Sequence, residues 1–332
     1  MKKTVAVLLA LMLLICLAAC SGRQGGEVET TSAVTTTEQP ETTSSPETLF
    51  ELSYWDHWAY PAIIELYGRG LIKNLAAFDP DVDAKRCDFI NMFLGAVVSP
   101  DLAGIKGGLF DSAEAMPFDS AVEMITSALK LKETPSWLTN NFVGLPSVGN
   151  SGLTNAECAV ITMRIIENIV EEGNDPLEIE RKFLINRRDL PFDTATATPY
   201  NFVQTYINIS PEVRVRAIND SEFWFAVKLP KDEIGLSRQE VQFTITAEEY
   251  SSLMEKKEGS SIIKTRYYVT LNGIKVAIDI YREALAGLSV AEIQFESVEK
   301  ANDFKPYNWF GKDVTSDKRY KNASLAMDGL PE

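Results

Sequence analysis

From Leu177 onward apolar and polar residues alternate in short runs, the period of side chains that point to opposite faces of a strand. The alternation predicts eight strands, near 177–185, 201–209, 212–219, 222–229, 239–245, 263–271, 274–281 and 289–297. One helix interrupts them. It starts after Thr246 with Glu248 and Glu249 in its first turn, where carboxylates complement the helix dipole. Upstream the apolar spacing lengthens to that of helices. Ile63, Ile64, Leu66 and Tyr67 predict a helix ending near Gly68 and Gly70, Cys87, Phe89, Ile90, Phe93 and Leu94 stripe a second from about Lys85, and 153–169 reads as another. At the N-terminus Lys2 and Lys3 precede an unbroken apolar run over 5–19, too short and wrongly flanked for a membrane span but suited to a secretory signal. Residues 21–49 are Thr, Ser, Glu, Gly and Pro with few large apolar groups, so they cannot repay ordering entropy and read as a flexible tether.

The charged residues of the strand region also keep the two-residue period: Glu178, Glu180 and Lys182; Arg214 and Arg216; Lys228; Arg238 and Glu240; Lys264 and Arg266; Asp279; Glu292. One such stripe is most simply a solvated face. Eight consecutive strands with few long gaps suggest instead an antiparallel barrel, which disposes of its edges, and inward-facing stripes would make it a tunnel of acids and bases. Burying so many charges is costly unless each meets a partner or an ion. A polyphosphate with divalent cations supplies both, carboxylates holding the cations and Arg and Lys cradling phosphate oxygens.

Composition narrows the chemistry. With 47 acidic against 32 basic residues the formal charge of −15 argues against broad affinity for nucleic acid or anionic membranes. The acidity is unevenly placed: residues 1–176 hold 11 bases and 23 acids, residues 177–332 hold 21 and 24. The bases therefore gather where a buried phosphate chain would need them. The one histidine, His57, leaves no multi-histidine metal site and no Ser-His-Asp or Cys-His chemistry without it. Of four cysteines, Cys16 and Cys20 belong to the leader, and Cys87 and Cys158 sit in helical apolar patterns, open to a disulfide or to burial as free thiols.

The run Glu178-x-Glu180-x-Lys182 followed by Phe183-Leu184-Ile185 resembles the opening signature of the CYTH, or triphosphate tunnel metalloenzyme, family. Gln204-Thr205-Tyr206-Ile207, Val213 to Arg216, Lys264-Thr265-Arg266-Tyr267, Gly287-Leu288, Ala291-Glu292-Ile293 and the ending Trp309, Val314-Thr315, Arg319-Tyr320, Asn322 and Leu325-Ala326 follow in family order. The resemblance implies an eight-stranded antiparallel tunnel acting on triphosphates. It assigns Glu178, Glu180, Glu240, Asp279 and Glu292 to Mg²⁺ or Mn²⁺, and Arg214, Arg216, Lys228, Arg238, Lys264 and Arg266 to the phosphate chain. Glu180 and Lys182 would be catalytic, Lys182 contacting a phosphate or activating water as a lysine of lowered pKa. The acidic set is thinned: Gln242 and Thr244 follow Glu240, Ala277 replaces an acid before Asp279, and Gln294 follows Glu292. Amides coordinate without negative charge, so a second cation would bind less tightly and a non-enzymatic polyphosphate-binding module stays open. An adenylate cyclase is the poorer third reading, because an exported enzyme would seldom meet ATP.

Leu17-Ala18-Ala19-Cys20-Ser21 resembles the bacterial lipoprotein box, which implies lipid on Cys20 and attachment to the outer face of a cell membrane, in a Gram-positive bacterium. Trp55-Asp56-His57-Trp58-Ala59, the Ile63 helix, Gly70-Leu71-Ile72, Phe78-Asp79-Pro80 and Lys85-Arg86-Cys87-Asp88-Phe89 resemble an S-layer homology module, with a fainter copy over 118–170 that contains Thr154-Asn155-Ala156-Glu157. That resemblance would give Arg86 to anionic cell-wall polysaccharide, a spacing role being the even alternative. The expected organisation is α+β and multidomain: a signal over 1–19, a lipidated linker over 20–49, a small S-layer-like helical region over 50–172, and an eight-stranded antiparallel barrel tunnel with flanking helices over 176–332. The expected partners are a triphosphate or polyphosphate, a membrane through the lipid, and wall polymer, with no nucleic acid.

Overall fold

The computed structural model describes residues 56–99, 102, 105, 108–145, 152–171, 176–231 and 236–332. The signal segment, Cys20 and the linker to residue 49 lie outside the described residues. No described helix is long and apolar enough to cross a membrane.

Among the described residues four helices longer than two turns come first: α1 (Tyr60–Gly68), α2 (Arg86–Val97), α3 (Phe118–Ala128) and α4 (Asn155–Ile165), the last continued by a π-helical turn over Ile166–Val170. Each is amphipathic as its sequence requires. α1 buries Ile63 and Leu66, and α2 turns Phe89, Ile90, Phe93 and Leu94 inward. α4 starts two residues later than the apolar run, because Thr154 and Glu157 form a reciprocal capping box that satisfies the first orphan amides. Isolated bridges Asp83↔Thr154, Lys85↔Ala115 and Pro117↔Gly152 tie the loops before α2, α3 and α4 together.

The strands are β1 (Leu177–Ile185), β2 (Tyr200–Asn208), β3 (Glu212–Ile218), β4 (Glu222–Pro230), β5 (Ser237–Ile245), β6 (Glu258–Leu271), β7 (Ile274–Tyr281), β8 (Ser289–Gln294) and β9 (Phe310–Asp313). They run in the order β5-β4-β3-β2-β6-β7-β8-β1-β9, and a further β5–β1 pairing closes the first eight into an antiparallel barrel. The closing seam is short: Leu177↔Gln239, Glu178↔Arg238 and Ile179↔Ser237 are its paired residues. Beyond them β9 takes over the same strand through Phe183↔Asp313 and Ile185↔Phe310.

The expected eight strands all form, with two differences at their ends and one added strand. β6 begins at Glu258 rather than 263, although Glu258-Gly259-Ser260-Ser261 has no apolar alternation. Tertiary pairing recruits it: Glu258 opposes Tyr206 of β2, and Gly259, at φ +64, leaves room for the C-terminal helix where a Cβ would come 2.6 Å from the Ala326 carbonyl. β8 stops at Gln294, and β9, four residues long, is too short to show a period.

Between β5 and β6 lies α5 (Ala247–Met254), capped by Thr246 and Glu249 as its sequence foretells, while α6 (Val298–Asp303) and α7 (Asn322–Asp328) follow β8 and β9. The helical half and the barrel share one core. Phe89, Phe93, Val97 and Phe110 pack with Val213, Val215, Phe225, Val241 and Phe243 on the outer face of β3–β5, with Phe110 and Phe225 rings 5.0 Å apart edge to face. The expected boundary near 172–176 is thus a joint in the chain but not in the packing, and residues 50–332 form one compact unit. Cys87 and Cys158 are both buried free thiols.

Candidate active site

Side chains at alternate positions of the strands converge inside the barrel around a cavity of about 230 Å³. Its lining holds Glu178, Glu180 and Lys182 from β1, Arg214 and Arg216 from β3, Lys228 from β4, Arg238 and Glu240 from β5, Lys264 and Arg266 from β6, and Glu292 from β8. The charged stripes therefore face inward. A wider pocket of about 670 Å³ adjoins it, sharing Glu180, Arg266, Tyr268, Glu292 and Gln294 and walled by Ala277, Phe295 and Phe304. Of the expected tunnel residues, Asp279 alone stands outside the cavity lining.

The charges pair across the interior. Lys228 Nζ lies 2.6 Å from Glu178 and 2.9 Å from Glu240, whose carboxylate also meets Arg214 at 3.2 Å. Arg238 reaches Glu178 at 3.0 Å and Glu180 at 3.7 Å. Lys182 pairs with Glu292 at 2.8 Å, and Arg266 contacts Glu292 from the other side. Asp279, fully buried, sits behind this layer and takes Lys264 at 2.5 Å and Arg266 at 2.6 Å. Expected among the metal ligands, it stands instead behind the cavity lining and pairs with the two lining cations Lys264 and Arg266.

Burial opposes ionisation of every carboxylate here, and the neighbouring cations decide the outcome. Against that burial, Lys228 keeps Glu178 below the usual range, Lys182 and Arg266 hold Glu292 well below it, and Arg266 and Lys264 do the same for Asp279. Glu180 differs. Burial, then the charges of Glu292 and Glu178, push it up to about 7. It is a half-buried carboxylate short of positive charge.

The bases divide in the same way. Burial would lower Lys182, but Glu292 and Glu180 raise it above an ordinary lysine. That direction favours the ammonium form and a contact to phosphate over the lowered pKa that activating water requires. Lys264 has the lowered value, brought to about 8 by burial against the pull of Asp279, with Arg266 adding repulsion. Arg216 is brought down to about 10 by burial and then by Arg214 and Arg266. Its polar partner is the amide of Gln242 at 3.1 Å, and its guanidinium lies 5.6 Å from the Phe202 ring centre and 5.7 Å from that of Trp224. Arg214 donates to Gln204 at 2.7 Å, yet its Nε is buried without a partner.

Several lining residues escaped sequence reasoning. Phe202, Gln204 and Tyr206 keep the two-residue period on β2 but carry no charge to mark them, and Glu212 is two positions before Arg214. Thr315, Tyr320 and Lys321 enter from the segment before α7 and Asn322 from its first turn; there Lys182 Nζ donates to the Tyr320 carbonyl at 3.4 Å and Tyr281 Oη to Asn322 at 2.5 Å. Arg86 lies elsewhere. Its side chain is paired with Glu249 of α5 at 2.8 Å and is 13% exposed, a contact between helices and barrel that matches the structural alternative to a wall-polymer contact.

Among the described residues no three acidic, histidine or cysteine side chains gather into a ready-made metal cluster. The donor chemistry nevertheless fits a hard divalent cation. Glu178, Glu180 and Glu292 offer carboxylate oxygens to the cavity, and Glu180 at about 7 lacks the positive charge such an ion would supply.

A closed antiparallel barrel around a charged cavity defines a tunnel-type β-barrel protein. The family model described as the CYTH domain matches residues 176–316. An inorganic triphosphatase of Nitrosomonas europaea is 37% identical over 45% of this chain and 97% of its own length. One of Acetivibrio thermocellus is 30% identical over 46% of this chain and 94% of its own. A crystal structure of an inorganic triphosphatase aligns at 32% identity over 46% of this chain and 97% of its own, with a TM-score of 0.35. The chain belongs to the CYTH domain family.

Proposed function

We propose that the barrel hydrolyses a triphosphate, inorganic tripolyphosphate or a related organic triphosphate, within its tunnel. The observation that carries this reading is the buried Arg214 Nε without an acceptor, in a cavity where Arg216 also has no carboxylate partner. A phosphate chain brings the acceptors and the negative charge that these groups lack. Two relatives of 37% and 30% identity, both inorganic triphosphatases, support it.

Water adds at the terminal phosphorus, the phosphoanhydride P–O bond breaks, and the electron pair leaves with the diphosphate oxygen. Arg214, Arg216, Lys228, Arg238, Lys264 and Arg266 bind and align the chain, and Lys182, as an ammonium, contacts a phosphate oxygen. Glu178, Glu180 and Glu292 would hold a divalent cation such as Mg²⁺ or Mn²⁺, which neutralises phosphate oxygens and acidifies a bound water. Phosphate release from tripolyphosphate with either metal, in wild type and Glu180→Gln, tests the reading. Turnover in wild type with a large loss in the variant supports it.

A second reading follows from Gln242, Ala277 and Gln294: a polyphosphate-binding module of weakened turnover. Tight binding with no phosphate release in either protein would favour it. We further propose an exported lipoprotein anchored through Cys20 near the wall; incorporation of labelled palmitate that is lost in Cys20→Ala tests the anchor.

A further inference from the structure

Among the described residues, the helical half reaches a tunnel carboxylate through Lys130. α3 ends at Ala128, and two residues later Lys130 stands at φ +55. That left-handed position after a helix is where glycine is favoured, and a side chain there is strained. The strain is met by two contacts. Lys130 Nζ donates to the Leu177 carbonyl at 3.3 Å and lies 3.2 Å from Oε2 of Glu240. Leu177 belongs to β1 and Glu240 to β5, so the lysine straddles the short seam that closes the barrel. Next to it, Gln239 donates to the Val97 carbonyl at the end of α2, at 2.8 Å.

The Glu240 carboxylate is buried and serves three cations. Oε1 meets Lys228 at 2.9 Å and Arg214 at 3.2 Å, while Oε2 takes Lys130. Lys228 and Arg214 line the cavity, whereas Lys130 comes from outside the barrel.

We propose that Lys130 is a positioning residue of the tunnel site: by occupying Oε2 of Glu240, it limits that carboxylate's hold on Lys228 and Arg214 and keeps both cations free to bind phosphate. Without it the whole carboxylate charge falls on those two groups, and the site loses one positive charge. The Lys130 side chain is 35% exposed, so the effect is that of a screened ion pair. The inference rests on the reading that the tunnel binds a triphosphate.

The test titrates tripolyphosphate into the full chain by calorimetry without divalent metal, and measures KM and kcat with metal. K130M is expected to bind about two- to fivefold more weakly and to raise KM by the same factor with kcat little changed. K130R, which keeps the charge, is expected to restore both. R86Q removes the other ion pair between helices and barrel and is expected to lower Tm while leaving affinity alone. Wild-type affinity in K130M, a K130R as weak as K130M, or an equal affinity loss in R86Q would overturn the inference. A wild-type protein that binds no tripolyphosphate would overturn the functional reading and this inference with it.

Discussion

Lys182 and Glu292 face each other across the β1–β8 register, their charged atoms 2.8 Å apart at the floor of the tunnel. Glu292 holds Lys182 protonated, so the lysine acts as a fixed cation. Lys182→Met should therefore lower kcat/KM by about tenfold or more, the scale of a lost charge-assisted contact to phosphate. The wild-type rate profile should show no basic limb from a lysine of lowered pKa at this position. Steady-state rates from pH 6 to 9 check both.

Glu180 gives a pH signature. Its folded pKa, about 7, lies above the unfolded carboxylate value, so the folded state holds the proton more tightly. The associated stability is fully present below about pH 4.3 and is lost as pH rises through 7. Glu180→Gln removes this dependence. The difference in Tm, variant minus wild type, should grow between pH 4.5 and 7 without metal, as calorimetric melts in one buffer series would record.

Asp279 neutralises Lys264 and Arg266 from behind. Asp279→Asn takes the carboxylate from Lys264 and leaves Arg266 with Glu292, and is expected to cost about 3–5 kcal/mol of stability, the usual penalty for breaking a buried pair. Tripolyphosphate should restore part of the lost Tm, because it supplies negative charge to the same cations. Melts with and without the ligand decide it, and an unshifted variant would contradict the role given to Asp279.

Gln242 is the lever on the thinned acidic set. Gln242→Glu gives Arg216 a carboxylate within the present 3.1 Å contact. Metal-free binding of tripolyphosphate should weaken by about two- to tenfold, and half-activation should need less Mn²⁺. Isothermal titration and a metal titration of turnover measure the two opposing effects.

Strand-level structure was legible because the tunnel imposes one period on both hydrophobicity and charge. Glu178, Glu180 and Lys182 could be placed on one face from spacing alone, and they line the cavity. What spacing could not show is who pairs with whom. Asp279 and Glu292 look alike as lone acids on successive strands, yet their register with β6 and β1 sends one behind the cations and the other among them. The ion pair of Arg86 was hidden for a similar reason: its partner, Glu249, is distant in sequence and also serves as a helix-capping residue. The shared core was equally hidden, since the stripe on α2 does not reveal that Phe93 meets Phe243 of the barrel.

That core makes the helices a coat over the catalytic half. A fragment starting at residue 176 would bare Phe225, Val241 and Phe243 along neighbouring strands, a greasy flank that invites self-association. The same residues that melt as part of one folded body would become the stickiest surface of the trimmed protein. Shortening this chain to its barrel would thus call for a new polar surface on β3–β5.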